Sequence, residues 1–75
     1  MNDISSEMQR EIRIYLYVLD NGATCRENAV RVPELEGDEN IHLHNEITNP
    51  SLGAIWLNCD VDKNGYSIYW LNSSI

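Results

Sequence analysis

The stretch Glu11-Ile12-Arg13-Ile14-Tyr15-Leu16-Tyr17-Val18-Leu19, followed by Asp20-Asn21-Gly22, decides the fold. Ile12, Ile14, Leu16 and Val18 alternate with Arg13, Tyr15, Tyr17 and Leu19, which is the period of a strand. Both faces are apolar enough to be covered, and β-branched and aromatic side chains favour strand over helix. Asn21-Gly22 then makes a tight hairpin turn, because this pair accepts positive φ angles. The competing reading is one helix from Glu7 to Asp20, stopped by Asn21-Gly22. Ser6 and Gln9 have the spacing of a capping box, so a short helix can also start there. The strand reading is preferred.

Downstream, Thr24 to Glu27 reads as a single helical turn, and Asn28 to Val32 as a short strand closed by Pro33. Glu34 to Asn40 is a polar loop bent at Gly37. Ile41-His42-Leu43-His44-Asn45-Glu46-Ile47 alternates again, with Ile41 and Leu43 on one side and His42, His44 and Glu46 on the other. Asn49-Pro50 begins a turn that ends near Gly53. The segments from Ala54 to Val61 and from Tyr66 to Leu71 flank Asn64-Gly65. Taken as a two-residue loop, that pair sets Val61 opposite Ile68 and Cys59 opposite Trp70 on an apolar face shared with Leu57. Asp60 then faces Tyr69 and Asn58 faces Leu71 on a mixed one. The fold class expected is mainly β, or α+β, with an antiparallel sheet of four or five strands in one or two layers and a short N-terminal helix or turn.

The chain has 75 residues, 43% of them apolar and 23% charged, a balance typical of one small folded domain spanning residues 1–75. A domain of this size buries only roughly 60% of its unfolded surface, so its core is thin. Phe is absent, leaving Trp56, Trp70, Tyr15, Tyr17, Tyr66 and Tyr69 as the large apolar contacts. With no obvious staple, a homodimer is a fair expectation. No basic start followed by an apolar run suggests a signal peptide, and no apolar stretch approaches membrane-spanning length. Reduced cysteines and a cytoplasmic setting are therefore expected. Without a secretory signal, the glycosylation pattern at Asn72-Ser73-Ser74 carries little meaning.

The net charge of −7 is concentrated in one segment. Up to Arg31, five acids nearly balance four arginines; Lys63 is the only charge after Asp62. Between them, Val32 to Asp62 holds Glu34, Glu36, Asp38, Glu39, Glu46, Asp60 and Asp62 with no Lys or Arg, and so carries essentially the whole excess. Acidic surfaces commonly serve solubility alone. A single-sign face also steers association with a basic partner. The same field argues against direct nucleic-acid binding, which needs Lys and Arg on phosphates.

Chemistry is thinly supported. On a strand, His42, His44 and Glu46 would stand together and offer two imidazoles and a carboxylate to zinc, but the solvent-facing polar side of an edge strand is the preferred explanation of so permissive a pattern. Asp60-Val61-Asp62-Lys63-Asn64-Gly65 matches the first half of a calcium loop, but Leu71 stands where a bidentate Glu is required. Cys59 falls on the apolar hairpin face as an inert thiol, and nothing in sequence activates Cys25. No phosphate loop or nucleophile elbow is present, so neither an enzyme nor a cofactor is expected. Tyr15, Tyr17, Trp56 and Tyr69 read as lying opposite the main apolar stripe, as core of a second layer or as an exposed interface patch.

The preferred expectation is a binding protein or inhibitor whose acidic segment docks on the basic surface of a nucleic-acid-handling protein, through Glu34, Glu36, Asp38, Glu39, Glu46, Asp60 and Asp62. In charge and size it is similar to the phage- or mobile-element-encoded proteins that block restriction or CRISPR complexes, and to nuclease immunity proteins. The alternatives are a small metal-binding module using His42, His44 and Glu46, and a structural subunit of a larger assembly.

Overall fold

In the computed structural model, which describes residues 6–49, 51 and 56–72, helix dominates. Helix α1 spans Ser6–Asp20, helix α2 Ile41–Thr48, strand β1 Leu57–Val61 and strand β2 Ser67–Leu71. Three 3-10 turns, Arg26–Asn28, Pro33–Leu35 and Asp38–Asn40, link the first helix to the second. The architecture is α+β with one two-stranded antiparallel sheet, not a mainly β sheet of four or five strands. Pro50, Leu52 and Gly53 of the expected turn, and strand residues Ala54 and Ile55, lie outside the described residues, as do Ser73 and Ser74 of the glycosylation pattern.

The decisive stretch is helical because its buried positions follow the helical repeat. Glu11, Ile14 and Val18 are buried, while Leu16, Tyr17 and Leu19 stay about half exposed. Every residue from Ile14 to Leu19 is apolar, so strand alternation is present there along with every other pattern. What breaks the tie lies outside it. Ser6 to Glu11 is rich in good helix formers. At the other end, Asn21-Gly22 closes a helix rather than a hairpin: Gly22 N–H donates to Leu19 and Ala23 N–H to Val18, with Gly22 at φ 69°. This is a Schellman cap, and Ala23 is fully buried beyond it, supplying the usual apolar contact.

Ile41 to Thr48 is likewise helical and not a strand. Leu43 and Ile47 are its buried residues, one turn apart. Ile41, which alternation had grouped with Leu43, is 57% exposed.

The hairpin exists, but one residue out of the expected register. Leu57 pairs with Leu71, Asn58 with Trp70, Cys59 with Tyr69, Asp60 with Ile68 and Val61 with Ser67. Its loop is three residues, Lys63-Asn64-Gly65: Asp62 accepts from the Gly65 N–H, its own N–H reaches Tyr66, and Gly65 takes φ 87°. The Asp62 side chain also accepts from the Asn64 and Tyr66 N–H groups, which selects this longer loop. A one-residue change reverses a whole face. Leu57 and Cys59 keep the core side as expected, but Tyr69 and Leu71 join them in place of Ile68 and Trp70.

Strand β2 has a neighbour on its other edge too. Val30 and Tyr69 exchange both backbone hydrogen bonds, and Leu71 N–H donates to Ala23. The expected strand at Asn28 to Val32 is reduced to this single bridge. The core is thus Ile14 and Val18 of α1, Leu43 and Ile47 of α2, Ala23, Val32 and Leu35 between them, and Leu57, Tyr69 and Leu71 of the hairpin.

Candidate functional site

Two places gather polar side chains beyond what the core requires. The first lies between the helices. Glu7 and Glu11 are one turn apart on α1, and His42 and Glu46 one turn apart on α2, so each pair occupies one face. The His42 Nε2 stands 3.5 Å from a Glu46 oxygen and 3.9 Å from a Glu7 oxygen. One potential ligand atom from each of these three residues lies within 4.8 Å of the other two. Behind them sits Glu11, 5% exposed, with its carboxyl hydrogen-bonded to that of Glu46. Burial pushes Glu11 up to about 7, helped by that hydrogen bond and by the negative charges of Glu46 and Glu7.

His44 is not part of this group, so the triad His42, His44 and Glu46 does not form. On a helix, positions 42 and 46 share a face and 44 points elsewhere. The His44 Nδ1 is 2.7 Å from the Tyr69 hydroxyl, and the two rings meet edge to face at 5.7 Å. Tyr69 itself is 1% exposed, a core residue and not part of an outer aromatic face. The spacing signal for the real cluster was present in sequence as Glu7/Glu11 and His42/Glu46, and only the helical reading makes it visible.

The second place is an open groove of about 360 Å³ lined by Leu35, Glu36, Gly37, Asp38, Ile41, His44, Gly65, Tyr66 and Ser67. Ile41 and Tyr66 are its exposed apolar side chains, at 57% and 46%. Arg31 stacks over the Tyr66 ring at 3.7 Å while pairing with Glu36.

The seven acids singled out in sequence divide sharply. Glu34 takes Arg13 at 2.7 Å and Arg10 at 3.8 Å; Glu36 takes Arg31 at 2.8 Å; Asp60 takes Arg26 Nε at 2.7 Å. These arginines hold all three carboxyls below the usual range. Asp62 ties the hairpin loop, and Glu46 faces Glu11 and His42. Among the described residues, only Asp38 and Glu39 of the seven have no side-chain ion pair or hydrogen bond. They are adjacent in the last 3-10 turn, and Asp38 lines the groove.

Asp62, the third position of the calcium-like pattern, is committed to backbone N–H groups, and both flanks are strands. Cys59 is half-buried and burial raises its thiol, as an inert cysteine requires; Cys25 is exposed. No helix among the described residues is long and apolar enough to cross a membrane. No family model, no curated protein and no solved structure matches this chain.

Proposed function

We propose that this is a non-enzymatic binding protein that docks through an acid-rimmed apolar groove on the basic surface of a partner, of the kind that holds nucleic acid. The observation that carries this reading is the disposition of its cations. All four arginines are spent on carboxylates of the same chain, and Lys63 is the only other Lys or Arg. The chain therefore offers a partner negative charge with almost no competing positive charge, which favours fast association with a basic surface.

Asp38 and Glu39 are the free carboxylates of the acidic segment, and beside Asp38 the groove offers exposed Ile41 and Tyr66. Charge for steering next to an aromatic and an aliphatic anchor is the composition of a small interface. A long basic side chain of the partner suits such a groove, its stem against Ile41 and Tyr66 and its head at Asp38. Within this class, an inhibitor that occupies the nucleic-acid groove of an anti-restriction, anti-CRISPR or nuclease-immunity target remains the specific reading. The setting proposed with it is cytoplasmic.

The test is retention of partners from a nuclease-treated lysate of the native host, comparing wild type with the double variant Asp38→Lys/Glu39→Lys. Neither residue holds the fold together, so the variant should stay folded by circular dichroism. Wild type should retain a nucleic-acid-handling protein, less of it as salt rises, and the variant should not. Equal retention by both would sink the proposal.

A further inference from the structure

We propose that Glu7, His42 and Glu46 bind a divalent transition-metal ion, zinc by its ligand preferences, as a clamp between α1 and α2. The site is separate from the groove and from Asp38 and Glu39.

Three features lead there. The ligand set is one imidazole and two carboxylates, the chemistry of zinc and its first-row neighbours; calcium and magnesium favour oxygen alone. The spacing fits as well. Ligand atoms about 2.1 Å from a tetrahedral ion stand about 3.4 Å from one another. His42 is already 3.5 Å from Glu46 and 3.9 Å from Glu7. Closing the rest asks only for rotation of Glu7, an exposed side chain on the first turn of α1.

The third feature lies directly behind the ligands. Glu11 is a buried carboxyl with no arginine, lysine or N–H group directed at it among the described residues; its hydrogen-bond partner is the Glu46 carboxyl. Arg10, its neighbour in sequence, is turned to Glu34 and Asn40 instead. Buried carboxylates are ordinarily paired with a cation or coordinate a metal. An ion on Glu46 supplies the positive charge that this pair lacks, while the buried Glu11 carboxyl orients Glu46 for it. The remaining coordination position faces solvent, since Glu7 and His42 are exposed, and water fills it. Such an ion would act as the staple that a thin-cored domain otherwise lacks.

The experiment titrates zinc chloride into the metal-free full chain, following the two histidine rings by NMR and the melting temperature. Zinc should move the His42 ring resonances far more than those of His44, and raise Tm by about 5 °C or more at saturation. Magnesium and calcium should do neither. Glu7→Gln and His42→Asn alter exposed residues on different helices, so both should fold, and each should weaken zinc binding at least tenfold. Cys25→Ser should bind as wild type does, which sets aside the exposed thiol. Undiminished binding in Glu7→Gln, a response centred on His44, or an unchanged Tm at millimolar zinc would each overturn the proposal.

Discussion

The carboxyls of Glu11 and Glu46 meet across the two helices, and Glu11 is almost wholly buried while doing so. Two negative charges there would repel in a poor dielectric, so the pair holds a proton at pH values where an exposed glutamate would not. The folded protein consequently binds a proton between the ordinary value of 4.5 and about 7 that the unfolded chain has released. The contribution is full below the unfolded value and is lost as pH rises through the folded one. Glu34, Glu36 and Asp60 act in the opposite sense: their arginines lower them, so their contribution is lost as pH falls. Stability should therefore peak near pH 5 and decline toward pH 8 by roughly 2–3 kcal/mol. Urea denaturation in EDTA, followed by tryptophan fluorescence, measures this. Glu11→Gln should match wild type near pH 5 and lose the decline above it; an unchanged slope in that variant would assign the pH dependence elsewhere.

Tyr69→Phe keeps the ring in the core and deletes the hydroxyl that meets His44 Nδ1 at 2.7 Å. The half-buried imidazole nitrogen then lacks its partner, at a cost of about 1 kcal/mol. The shift in urea midpoint should be accompanied by a change in the His44 ring resonances and none at His42. A neutral result would mean that the two groups meet without bonding.

Gly22 and Gly37 both take positive φ, for different surroundings. A Cβ at Gly22 would meet nothing within 4 Å, so Gly22→Ala should cost only the backbone penalty, about 1 kcal/mol. At Gly37 the added atom would fall 2.8 Å from the Glu39 carboxylate. Gly37→Ala should thus weaken partner retention as well as stability, whereas Gly22→Ala should change stability alone.

Charge reversal separates acids that hold the fold from acids that face outward. Glu34→Lys would set a third cation beside Arg10 and Arg13 and should cost about 1 kcal/mol, more at low salt. Asp38→Lys breaks no pair and should stay within about 0.5 kcal/mol of wild type. Thermal melts at two ionic strengths distinguish the two. Equal losses would mean that Asp38 also has a structural partner.

How much of this was legible in the sequence depends on where the deciding information sat. The hairpin was visible because Asn64-Gly65 lies between two apolar runs, but its register was not. Asp62 lengthens the loop by accepting two N–H groups, and side-chain capping of this sort competes with the shorter turn that Asn-Gly suggests. In the stretch from Glu11 to Leu19 the apolar residues are too dense for periodicity to choose between helix and strand, and Asn21-Gly22 suits either ending. The same misreading carried over to His42, His44 and Glu46, since a period of two groups three residues that a helix divides. The acidic excess of the segment was read correctly as composition. Sequence could not say that Glu34, Glu36 and Asp60 would be consumed by arginines 21 to 34 residues away or close at hand, because that depends on how the turns fold back on α1 and β1.

The position of β2 has a consequence for how the chain reaches its native state. Tyr69, its largest fully buried side chain, closes on Val30 and His44, and Leu71 on Ala23, so the contacts that complete the core join residues 25 to 48 positions apart. During synthesis α1 and α2 emerge well before these partners do. Until residues 67–71 have left the ribosome, Ile14, Val18 and Ile47 have no sheet to cover them, so the nascent chain spends that interval with its apolar side chains in water and open to chaperones.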